Sequence, residues 1–110
     1  MKVDQKGHTT IIKDTHNDVA AFVNKITNEY HVFQGQNLIL DVSQDKSISN
    51  ADLAHFKDLA KSHKKEKKSM IIVTDAVNFD KVPNYLNVVP SVLEAHDMIE
   101  MDEIERDLGF

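Results

Sequence analysis

Apolar residues recur along this chain in two rhythms, and each switch of rhythm predicts a change of element. His8-Thr9-Thr10-Ile11-Ile12-Lys13 is rich in β-branched residues and predicts a strand. Gly7 just before it permits a turn back onto Lys2-Val3-Asp4, which gives an N-terminal hairpin. Val19, Phe22, Val23, Ile26 and Tyr30 then recur at steps of three and four, the stripe of a helix capped near Thr15 or Asn17 and ended by Gly35. Leu38-Ile39-Leu40-Asp41-Val42 and Met70-Ile71-Ile72-Val73-Thr74 are short apolar runs with polar borders, the pattern of buried strands. Between them, Ser49 and Asp52 are spaced as a capping box and open a second helix, whose apolar side is Leu53, Phe56, Leu59 and Ala60. The rhythm is lost from Asp75 to Tyr85, where Pro83 interrupts. Leu86-Asn87-Val88-Val89 predicts a last strand, closed by Pro90. Ser91 and Glu94 repeat the capping spacing and open a C-terminal helix with Val92, Ala95, Ile99, Ile104 and Leu108 inward. A register shift around Met101 predicts a kink, or two short helices joined there. Gly109 is placed to cap that helix and to let Phe110 pack back on the domain.

Strands separated by helices of this length imply crossover connections and a largely parallel sheet. The predicted fold is α/β: a mixed four- to five-stranded sheet with an N-terminal hairpin and helices mainly on one face. A chain of 110 residues, 41% hydrophobic and 28% charged, suits one globular domain over residues 1–110. No repeat, low-complexity tract or linker divides it.

Composition narrows the classes of function. With no cysteine, disulfides and thiolate metal sites are excluded. Met1 to Lys6 lacks the apolar stretch of a secretory signal, and the longest apolar runs fall far short of the roughly 20 residues a membrane span needs. The expected compartment is the cytoplasm, without membrane contact. A net charge of −5 argues against a general nucleic-acid binder, since such binding depends on cations meeting phosphates. The charge is segregated, however. Lys57, Lys61, Lys64, Lys65, Lys67 and Lys68 form a basic block, whereas Glu94, Asp97, Glu100, Asp102, Glu103, Glu105 and Asp107 make the C-terminal helix acidic. The block reads first as a solvated helix end whose charge complements the dipole. Its functional reading is a basic patch that docks RNA or an acidic protein, but no aromatic residue interleaves with Lys57 to Lys68 to stack on bases. The acidic helix reads as a solvated face, and its pairing with the lysine block of a second copy would give a homodimer.

No catalytic set emerges. His8, His16, His31, His55, His63 and His96 are scattered, and His55 and His63 stand about two helical turns apart, too far to share one ion. Surface or partly packed imidazoles are the expectation, with no metal and no cofactor. Asp41 and Thr74 end strands as the phospho-acceptor and hydroxyl of a receiver domain do, but the acidic pair such a domain needs is missing, since Asp14 stands alone. Asp41 is expected to bond backbone amides at its strand end. Ser43, Ser47 and Ser49 lie in no nucleophile elbow, and the chain's 3 glycines form no phosphate-cradling loop. A non-enzymatic role is the expectation.

With this order of elements, three segments resemble the STAS domain, the fold of the anti-sigma factor antagonists. Leu38-Ile39-Leu40-Asp41-Val42-Ser43 is similar to the family's central strand ending in Asp-hydrophobic-Ser. Ile48-Ser49-Asn50-Ala51-Asp52-Leu53 stands where the family has its Ile-Asp-Ser-Ser-Gly-Leu turn, and Val89-Pro90-Ser91-Val92-Leu93-Glu94-Ala95 resembles the short strand and Glu-Ala helix start near the family's end. The resemblance implies a regulatory module that binds another protein through that turn and the following helix, here Ser49, Asn50, Asp52, His55, Asp58 and Lys61. It also implies a departure. The serine that the family's switch members phosphorylate matches Asn50, which takes no phosphate, and the family's glycine is Asp52. Ser49 is the one neighbouring candidate for phosphorylation; a phosphate there would meet a helix N-terminus but face Asp52, and capping is the simpler role. The acidic tail from Glu103 to Phe110 also resembles short STAS-like proteins associated with ribonuclease Z. That implies the alternative of an accessory in RNA processing, using the basic patch of Lys57, Lys64, Lys65, Lys67 and Lys68.

Overall fold

A computed structural model describes residues 1–109, so the expectation that Phe110 packs on the domain lies outside the described residues. Five strands form one mixed sheet: β1 (Lys2–Lys6), β2 (Thr9–Lys13), β3 (Asn37–Asp41), β4 (Met70–Val73) and β5 (Asn87–Val89), side by side in sequence order. β1 runs antiparallel to β2 through a turn at Gly7, whose φ of 60° is cheap only for glycine or a few polar residues. All later pairs are parallel, with Ile11 beside Ile39, Ile39 beside Ile71, and Val73 beside Val89.

Alternation along β3 and β4 sends neighbouring residues to opposite faces. Leu38, Leu40, Met70 and Ile72 face α1 (Val19–Asn28), α2 (Tyr30–Phe33) and α3 (Lys57–Lys65). Their partners include Phe22, Ile26, Phe33, Leu53, Phe56 and Leu59, all buried. Ile39, Ile71, Val73 and Val89 face the other way, onto Ala95 and Ile99 of α4 (Val92–Asp107). Successive crossovers that step across the sheet in one direction and with one hand must all lie on one face. α4, which follows β5, folds over the opposite face and removes that apolar surface from water.

The first helix is capped by Asp18, whose carboxylate accepts from the Ala21 amide at 3.1 Å, rather than by Thr15 or Asn17. Asp14 explains the shift. Its two carboxylate oxygens accept from the amides of His16 and Asp18, holding a turn in which Asn17 takes a φ of 52°. Tyr30 is not on that helix: the chain breaks at Glu29 and restarts as α2. The second helix opens as a 3₁₀ segment, Asn50–Phe56, before becoming α3. α4, expected to kink or break near Met101, is one continuous helix. Its inner face continues past Ile99 as Asp102, Glu103 and Arg106, because there the helix runs off the apolar sheet onto the polar strand starts at Asn37 and Ser69. Ile104 and Leu108 are therefore outward, at 59% and 66% exposure, instead of inward. Gly109, at φ 82°, closes α4 as expected, with its amide bonded to Arg106 O.

Candidate functional site

The strand ends that carry the STAS-like motifs are held by their own carboxylates. Asp41 Oδ1 accepts from the amide of Ser43 at 3.0 Å and from its hydroxyl at 2.6 Å. Asp45 repeats this with Ser47, at 2.9 and 2.6 Å. Asp41 satisfies a backbone donor that the end of β3 leaves unpaired, and Asp45 does the same in the loop that follows. Both are buried, and both serine hydroxyls are committed to them. The hydrogen bond from a backbone amide expected of Asp41 is thus present.

Beside them, the turn into the second helix is closed by the Ser49–Asp52 pair that the spacing singles out, and the Asp52 amide donates to Ser49 O at 3.1 Å. Asp52 Oδ2 accepts from the Ser49 amide at 2.8 Å and from the Ser49 hydroxyl at 3.2 Å. Asp52 is half-buried by this engagement, so it is less exposed than expected, whereas Ser49, His55, Asp58 and Lys61 are open to solvent. Asn50 is half-buried and tied in two directions: its Nδ2 donates to Asn78 O, and its Oδ1 accepts from the Asn78 amide, both at 2.9 Å. The position matching the family's phosphorylated serine is therefore a clamp between two loops. His16, Asp18, Asp45, Ser47, Asp52 and His55 border a shallow recess of about 400 Å³ at this end of the sheet. Among the described residues no three His, Asp or Glu side chains gather as metal ligands, and no helix is long and apolar enough to cross a membrane.

The lysine block is organised by two residues that spacing alone did not single out. His63 is fully buried under α3, one turn beyond Leu59 on the face that also carries Phe56. Its Nε2 lies 2.8 Å from the Gln36 carbonyl, which only accepts, so Nε2 carries the proton. Nδ1 is then bare in the neutral ring and accepts from the Tyr30 hydroxyl at 2.7 Å. The two rings meet edge to face at 5.7 Å. Burial pushes the Tyr30 phenol up to about 12, with the charge of Glu66 adding to it. Burial chiefly pulls His63 below its ordinary value, with Lys68 adding to the fall, against the Gln36 hydrogen bond and Glu66. The folded chain thus holds fewer protons at His63 than the unfolded chain, so this contribution to stability is complete above about pH 6.5 and is lost as pH falls toward the depressed value. Thermal melts between about pH 7.5 and pH 5.5 should show falling stability in the wild type and a flatter profile in His63→Gln. Equal slopes in the two proteins would remove His63 as the cause.

Tyr85 is the second such residue. No aromatic lies within the lysine block in sequence, but the segment before β5 brings the Tyr85 ring to 6.0 Å from Lys57 Nζ. Lys57, Lys61, Lys64 and Lys68 follow one another at steps of four, three and four, so they form one row along α3 and just beyond it, while Lys65 and Lys67 lie off that row.

On α4, Ile104 and Leu108, expected inward, instead join Leu93 and Met101 on the outside. Leu93, Met101, Ile104 and Leu108 are 71%, 63%, 59% and 66% exposed. At 100° per residue they fall within about 80° of one another on the outer side of the helix, and they extend over about 22 Å of its length. No protein-family model matches the chain, and no curated protein matches it.

Proposed function

We propose that this chain is a non-catalytic protein-interaction module of STAS type, acting in the cytoplasm without the phosphorylatable serine of the family's switch members. Support for the family reading comes from the hairpin-led sheet in sequence order, the Asp41-Val42-Ser43 strand end and the Ser91-Glu94 helix start, where the Glu94 amide donates to Ser91 Oγ at 3.2 Å. Asn50, engaged with Asn78, supports the absence of a phospho-switch at that position.

The observation that carries a binding role is the outer side of α4. Apolar side chains exposed in one patch cost free energy in water and mark interaction surfaces. The turn and helix to which the resemblance points, Ser49 to Lys61, expose charged and polar groups, while their large apolar residues Leu53, Phe56 and Leu59 are buried. We therefore place the main partner contact on α4. Glu94, Asp97, Glu100, Glu105 and Asp107 are exposed among and around the stripe. Two copies meeting there would bring like charges together, so the partner is another protein offering an apolar strip edged by lysine or arginine.

A short synthetic amphipathic helix of leucine and lysine is the probe, with a scrambled peptide of equal charge as control. Fluorescence anisotropy should show the amphipathic peptide binding and Met101→Glu/Ile104→Glu weakening it at least about tenfold, near 1.4 kcal/mol, with little change in melting temperature. Equal binding of the scrambled peptide, or no loss in the double variant, would contradict the assignment. A loss confined to His55→Ala/Lys61→Ala would move the contact to the turn and helix after Ser49.

A further inference from the structure

We infer that the protein has a separate ligand site, for a small phosphate monoester carrying a planar ring, in the cleft between α3 and the segment leading into β5. The cleft holds about 420 Å³, within the range of small-molecule sites of about 300–1,000 Å³. Lys61, Lys64 and Lys68 border it from the row along α3, and Arg106 closes it from α4. Among the described residues the one ion pair is Lys46 with Asp75 at 3.1 Å, so these four cations face the cleft without a carboxylate in ion-pair contact. One carboxylate, Asp102, also lines the cleft, where it accepts from Ser69 Oγ at 2.7 Å, and Glu103 accepts from Asn37 Nδ2 at 2.6 Å.

Arg106 is the best positioned of the four. Its Nη1 donates to Ser69 Oγ at 3.1 Å and its Nη2 to Asn37 Oδ1 at 3.3 Å. Asn37 and Ser69 are themselves buried and joined by the Ser69 amide donating to Asn37 Oδ1 at 2.9 Å. A half-buried guanidinium is thus fixed by neutral oxygens, with the Asp102 and Glu103 carboxylates reached only through Ser69 and Asn37, and its remaining N–H groups have no protein partner among the described residues. Such a fork matches the geometry of a phosphate, and Lys61, Lys64 and Lys68 on their long side chains complete the charge. At neutral pH a phosphate monoester carries about −1.5 to −2 charges, enough to relieve the mutual repulsion of several cations.

The rest of the lining selects the remainder of the molecule. Ala60 and Met70 give an apolar wall, and the half-open ring of Tyr85 at the mouth offers a flat surface. Asn84 and Asn87, both exposed, present amides that donate and accept at the edge of a planar ring. Phosphate near Arg106 and ring near Tyr85 is the arrangement this division implies. The outer stripe of α4 lies outside this cleft, so the two assignments fail or stand separately.

Isothermal titration at low ionic strength tests the site with adenosine monophosphate, ribose 5-phosphate and adenosine as probes. Adenosine monophosphate should bind saturably, ribose 5-phosphate more weakly, and adenosine not measurably. Lys64→Ala/Lys68→Ala should weaken adenosine monophosphate at least about tenfold, whereas Lys65→Ala/Lys67→Ala, with the same change of charge outside the cleft, should leave it unchanged. Tyr85→Ala should bring adenosine monophosphate down to the level of ribose 5-phosphate. No saturable binding, or equal losses in the two lysine pairs, would overturn the proposal. Binding of a longer RNA strand alone, with affinity set by its length, would overturn it in favour of an RNA-docking patch.

Discussion

Phe56→Ala is expected to destabilise the fold by about 3–5 kcal/mol, the usual cost of emptying a buried aromatic site. Phe56 is fully buried where the 3₁₀ segment Asn50–Phe56 becomes α3, among Leu53 and Leu59 and the sheet residues of the same core. Those three side chains hold α3 to the sheet, and α3 in turn carries the lysine row. In a domain of this size each kcal/mol lowers the melting temperature by about 4–8 °C, so a fall of at least about 12 °C should be seen. The denaturation midpoint should drop with little change in slope. A loss below about 1 kcal/mol would mean that the ring is not packed in the core as described.

Asn37→Ala is expected to cost about 2–3 kcal/mol, because it strands several partners at once. Asn37 is 1% exposed; its amide nitrogen donates to Glu103, and its oxygen accepts from the Ser69 amide and Arg106. Removing it leaves the buried Ser69 amide unsatisfied and loosens both Glu103 and Arg106. Hydrogen-bond networks of this kind lose more than one pairwise interaction when a central member is removed. Denaturant unfolding of Asn37→Ala beside Glu103→Gln separates the two effects, since the second variant keeps an acceptor for the Asn37 amide. Similar losses in both would assign the cost to the charge of Glu103 rather than to the buried amide.

Much of the fold is written locally in this chain. β3 and β4 announce themselves as apolar runs that are buried on both faces, Gly7 permits the hairpin turn, and the Ser49–Asp52 and Ser91–Glu94 pairs mark helix starts that the structure contains. The start of the first helix was ambiguous because Thr15, Asn17 and Asp18 are all residue types that cap helices. What decides among them is Asp14, whose carboxylate shapes the turn. α4 misled for a different reason. Helical spacing identifies a stripe but not the side on which a partner sits, and α4 carries two apolar stripes. One is Val92, Ala95 and Ile99 against the sheet; the other is Leu93, Met101, Ile104 and Leu108 facing outward. Joining them into one inward face demanded the register shift, and hence the kink, that the continuous helix lacks.

The candidate sites were less legible than the fold because they depend on contacts between distant segments. His63 looked like one more polar residue in a basic block, although its step of four from Leu59 and seven from Phe56 was a signal of burial. Tyr85 meets Lys57 only through the irregular stretch before β5, and Arg106 reaches Ser69 at the start of β4. No spacing rule links residues so far apart. Asn50, by contrast, was singled out from its position, but its bonds to Asn78 needed the fold to be seen.

Hydrogen–deuterium exchange with and without the leucine–lysine peptide tests most directly whether α4 is the docking face. Slower exchange across residues 93–108, with residues 49–61 unchanged, is the predicted result. Protection confined to residues 49–61, or none on α4 at saturating peptide, would contradict it.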